Sequence, residues 1–161
     1  MTLIFLNSTL HFGINAVKAI LKLASQLDFK QHQCRGDYHK YLRDVRAEAN
    51  ALKLKNELGI YVKDWFSVDG NSARTFFRNA ERVAELLEVP LFFIKDIGTI
   101  WTTICSGFAI DLEKFEQFCH NFMTQYRNNN STNFYQLSPT LHKILCHTKE
   151  GQSDSIDSFT I

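Results

Sequence analysis

"LEKFEQFCHNFMTQYR", residues 112–127, decides the fold class. Leu112, Phe115, Phe118, Cys119, Phe122, Met123 and Tyr126 recur at spacings of three and four, the period of one face of an α-helix. Asp111 stands directly before the run, where a carboxylate can accept from the helix's first free N–H groups. An apolar stripe this regular is core material, so the helix is expected to lie against other elements of the same kind.

Working outward, the same period recurs. Upstream, "LFFIKDIGTIWTTICSGF" (91–108) places Ile94, Ile97, Trp101, Ile104 and Phe108 on one face, with Pro90 at the first helical position. "DGNSARTFFRNAERVAELLEVP" (69–90) reads as a helix with Asn71 as its N-cap. "GDYHKYLRDVRAEANALKLKNELG" (36–59) predicts a longer helix with Tyr38, Tyr41, Leu42, Val45, Ala49 and Leu52 facing inward, stopped by Gly59. "INAVKAILKLASQL" (14–27) sets Ile14, Val17, Leu21 and Ala24 on a stripe that Ile20, Leu23 and Leu27 widen. "IYVKDWFSVDGN" (60–71) reads as an extended connector or short strand.

Downstream, "NNNST" is a loop, and "SPTLHKILCH" (138–147) opens a short helix with Ser138 as N-cap and Pro139 at N1. The polar stretch 148–161 carries no periodicity and is expected to be disordered. With 161 residues, two prolines and seven glycines, the chain is long enough for one core and poor in the turns that a sandwich or barrel needs. The expectation is all-α: one irregular bundle of about six helices over residues 10–148, an N-terminal extension over 1–9, and a flexible tail over 149–161.

Composition excludes little about function. The net charge is +1, with eleven basic and seven acidic residues from Lys30 to Arg82 and five against nine thereafter. A mildly basic first half is compatible with a nucleic-acid face or with ordinary solvated surface. Cys34, Cys105, Cys119 and Cys146 form no CxxC pair; Cys105 and Cys119 fall on apolar helical positions and are expected as buried thiols. The longest uncharged run, 97–110, is too short to span a bilayer, and the first residues do not resemble a secretory signal. An intracellular, soluble chain is expected.

Two features could carry chemistry. His142 and His147 have the spacing with which zinc fingers close a tetrahedral site. Five helical positions turn the two rings about 140° apart, so both reach one ion only where the helix ends or loosens. His142 and Cys146, four apart, are a competing ligand pair. The alternative is a surface His142 and a His147 set against the helix dipole. The second feature is "DGNSARTFFR", where a helix opening at Asn71 with Arg74 and Arg78 on its first turns suits a phosphate, as against a capped helix with solvated arginines. Lys40, Arg43 and Arg46 add a basic stripe that supports the same contact or is a solvated face.

"FYQLSPTLHKILCH", preceded by "DGNSARTFF" and "SGFAIDLEKFEQFC", resembles the C-terminal region of Transib DNA transposases and of their relative, the catalytic subunit of the V(D)J recombinase. Gly70, Asn71, Ala73 and Arg74 match a G-N-x-A-R turn of that family, and Leu10-His11 with "INAVKAIL" matches a helix start. The resemblance covers roughly Leu10 to His147. It implies that His142 and His147 are zinc ligands whose CxxC partners lie outside this chain, since Cys34 in "QHQCRGD" does not fit that pattern.

It also implies DNA cleavage by three carboxylates on an RNase H-like fold with two divalent ions. This chain has no counterpart for those carboxylates, and Glu150 sits too close to His147 to serve. The expected product is therefore a non-catalytic, nuclear fragment or domesticated remnant with an incomplete zinc site and no catalytic magnesium. Its expected partners are DNA, bound weakly and without sequence preference, or a polypeptide supplying the missing fold; homo-oligomers are compatible. The competing reading is a helical protein–protein interaction module with no metal or nucleic acid.

Overall fold

The computed structural model describes residues 2–26 and 36–128, with side chains from Leu10 onward. They form six α-helices: α1 (Thr2–Gln26), α2 (Asp37–Leu58), α3 (Gly70–Arg78), α4 (Ala80–Leu87), α5 (Leu91–Cys105) and α6 (Leu112–Asn128). The protein is all-α, and its only β pairing among the described residues is an isolated antiparallel bridge between Lys63 and Ser67. No described helix is long and apolar enough to cross a membrane.

α1 is the central element, packed against α2, α3 and α5. Between Leu10 and Gln26 only His11 and Lys18 are exposed, the pattern of a helix that is apolar all round and must be covered on every side. It starts at Thr2 rather than near Ile14. Gly13 lets α5 come close: a Cβ there would overlap the Trp101 indole, which is itself buried. Only a residue without a side chain fits that crossing.

α6 keeps the face predicted for it. Cys119, Phe122, Met123 and Tyr126 are buried against α5, while Phe115 and Phe118 are half-buried. Phe93 stacks on Phe122 and on Tyr126, each at 5.7 Å between ring centroids. Burial pushes the Tyr126 phenol up to about 12. Asp111 Oδ1 accepts from the Lys114 N–H at 3.2 Å, the cap expected from sequence, and this bond lowers the carboxyl's pKa. Leu112 remains exposed at the helix start, and Phe108, beyond the end of α5, is 83% exposed rather than core. Cys105 is likewise exposed at the last residue of α5, whereas Cys119 is buried as expected.

The segment 69–90 is two helices, not one. Asn79 interrupts it, its backbone N–H donating to the Thr75 carbonyl at 3.2 Å and its side-chain amide to the same oxygen at 2.8 Å. That local bond competes with continuation of the helix. The N-cap is Asp69 rather than Asn71, and Pro90 stands one position before α5 rather than inside it.

Gly59 ends α2 as predicted, at φ 65°, with the Ile60 N–H reaching back to the Leu54 carbonyl at 3.2 Å and Ile60 buried beneath. The phase of α2 differs from the expectation. Ala47, Asn50 and Leu54 face the body, and Tyr38, Tyr41, Val45 and Leu52 face away, 68%, 64%, 45% and 57% exposed. The sequence carries two apolar faces on this helix, and the one with small residues is the one packed inward, where α1 and α4 lie.

Candidate functional site

The zinc candidates His142, Cys146 and His147 lie outside the described residues, as does Cys34. Among the described residues no group of three or more His, Cys, Asp or Glu is placed to hold a metal ion.

The phosphate candidates are only partly assembled. α3 does open at Gly70, but its free N–H groups face a carboxylate of the chain itself: Asp69 Oδ1 accepts from the Ser72 N–H at 2.7 Å. That bond, followed by one from the Ser72 side chain, holds the Asp69 carboxyl below its ordinary value, so it is charged at neutral pH. A negative charge at this end fills the position that a phosphate needs. Asn71 is exposed and accepts from Arg74 Nη1 at 3.2 Å, and Arg78 is exposed one turn further on.

The basic stripe of α2 does not present one open face. Lys40 is exposed, but Arg43 is half-buried and pairs with Asp44 at 3.4 Å, and Arg46 is half-buried with a partner of its own. At about 100° per residue the three side chains fan over roughly a third of the helix circumference. Further along, Arg82 is held between Glu57 and Glu85 at 2.9 Å each. A continuous cationic surface joining Lys40, Arg43 and Arg46 to Arg74 and Arg78 is not what the packing produces.

What the fold does assemble is the outer side of α2. Tyr38, Val45 and Leu52 repeat every seven residues; Tyr41 and Leu42, then Ala49, fill the intervening turns. On an ideal helix this stripe is centred about 180° from the Ala47–Leu54 face that packs against the body. Tyr38 meets the His39 ring edge-on at 5.7 Å. Glu48 flanks it on one side, Arg46 and Lys53 on the other. Large apolar side chains at helical spacing on an outward-facing helix form a face of the kind that can dock another helix.

The stripe was visible in the sequence, but as core; what sequence reasoning missed was its direction. The flanking Glu48 and Lys53 went unnoticed for the same reason, although a seven-residue count along α2 would have found them. Comparison with described protein families and with curated proteins finds no match to this chain.

Proposed function

We propose that this chain is a non-catalytic helical interaction module that docks a partner through the outer stripe of α2. The single observation that carries this reading is the phase of α2: its largest apolar side chains are turned about 180° away from a body that is already well packed without them. A photo-crosslinking residue placed at Tyr41 in the full chain tests it in cells. A discrete adduct is expected from that position and none from the same residue at Glu113 on α6. Equal labelling from both positions, or no adduct from Tyr41, defeats the reading.

One contact favours a second reading, in which the chain is a fragment of a Transib-like transposase. The two segments that carry the upstream resemblance touch: a Cβ on Gly70 would lie 2.6 Å from Leu10 Cδ1, so the G-N-x-A-R turn packs on the Leu10 helix through its glycine. On that reading His142 and His147 hold zinc in concert with donors from elsewhere. Arg74 and Arg78 then add weak contacts to a DNA backbone, and the protein acts in the nucleus. Two measurements decide it. Duplex DNA affinity should fall with salt, and a log–log slope near zero removes the phosphate role. Zinc content should drop in His142→Ala and His147→Ala; unchanged metal removes the histidine role.

A further inference from the structure

We infer that the partner of the α2 stripe is a second copy of this chain, joined α2 to α2 in parallel about a two-fold axis. The inference rests on the interaction-module reading above and adds the identity of the partner. Its starting point is the register of the outward face. Tyr38, Val45 and Leu52 occupy one repeating position of a heptad, and Leu42, Ala49 and Asn56 occupy the other, four residues further on. Together they form a seam over most of a helix that is 22 residues long. A seam of this kind is self-complementary, because the same positions meet across a two-fold axis.

The charges bordering the seam choose the orientation. Glu48 falls on one border and Lys53 on the other, five residues apart, the separation at which flanking positions of two parallel helices meet. A parallel pair therefore sets Glu48 of each copy beside Lys53 of the other, twice by symmetry. An antiparallel pair brings like borders together, Glu48 toward its own copy and Arg46 and Lys53 toward theirs. Both side chains are available for this. Glu48 makes no ion pair among the described residues, and Lys53 reaches only the Leu86 carbonyl, at 3.5 Å.

Asn56, exposed and on the seam, is the kind of residue that fixes register and two-strandedness at some loss of affinity. Among the described residues, the helices packed on α2 do not obstruct the pairing. α1 and α4 lie behind α2, so the two bodies point outward from the paired helices.

Sedimentation equilibrium of the full chain tests this. The mass is expected to rise from 18.7 kDa toward twice that value with concentration, through a midpoint on the order of micromolar, as befits a short seam. Val45→Asp should leave a monomer of unchanged helix content. Glu48→Lys and Lys53→Glu should each weaken association roughly three- to tenfold, and the double exchange should restore it to within about twofold. Failure of the double exchange to rescue overturns the parallel arrangement.

A wild-type chain that stays monomeric to about a hundred times that midpoint overturns self-association. If Tyr41 still crosslinks to a different protein, the module reading survives that result; with no adduct at all, both fall. A monomer whose melting temperature drops on Val45→Asp means that the stripe is covered within the chain itself. That outcome also overturns the second copy.

Discussion

α1 and α2 lie side by side, yet they place their apolar residues by opposite rules. α1 buries nearly its whole circumference from Leu10 to Gln26 and serves as the axle of the bundle. α2 gives the body Ala47, Asn50 and Leu54, and offers tyrosine, valine and leucine to the outside. Apolar periodicity is thus the same signal with two meanings: in α1 it measures what the fold needs, in α2 what the fold leaves over. The separation is testable, because stability should be concentrated in the first helix and nearly absent from the outer face of the second.

The largest expected effect is in α1. Leu23 is fully buried, and Leu23→Ala should cost about 3 kcal/mol, read as a loss in the denaturation midpoint. A cost below about 1 kcal/mol would break the contrast. Next comes the α1–α5 crossing. Gly13→Ala forces a methyl group into the Trp101 indole, and a loss of roughly 1–3 kcal/mol is expected, although alanine is the better helix former.

A smaller effect belongs to the cap of α3. Asp69→Ala should cost about 0.5–1 kcal/mol, toward the low end because the carboxylate is exposed and screened. Its sign with pH follows from the lowered folded-state value. The contribution is complete above about pH 4, where the unfolded aspartate is also ionised. It is lost as pH falls through the lower folded value, so wild type and variant should converge in acid. The smallest effect sharpens the comparison most. Leu52→Ala at nanomolar concentration, well below the association midpoint, should change stability by no more than about 0.5 kcal/mol. A loss comparable to that of Leu23→Ala would mean that the outer face of α2 is core after all.

Much of this fold is legible in the sequence for reasons that are local. The α6 stripe, the Asp111 cap and the Gly59 stop each depend on a few neighbouring residues, and each stands where the local chemistry puts it. What was not legible depends on other helices. Nothing in 37–58 alone says which of two apolar faces meets α1, because Ala47 and Asn50 look like poor core until a close neighbour makes small residues the better fit. The break at Asn79 was missed because a single asparagine in a helical run is ordinary. Its effect arises from a bond to the Thr75 carbonyl that sequence does not announce. At the candidate site the residue types of the outer stripe were readable and their direction was not. Arg74 and Arg78 are exposed, as a phosphate contact requires, but the Asp69 carboxylate two residues before Asn71 changes what that helix end attracts.

The glycine beneath Trp101 has one more consequence. The protein has two tryptophans, one wedged over Gly13 at the α1–α5 crossing and the other, Trp65, 36 residues earlier in the chain and 40% exposed on a tight left-handed turn. That difference in exposure should separate their fluorescence by wavelength and by access to an aqueous quencher, giving an internal optical gauge of whether the axle and the helix across it remain in contact.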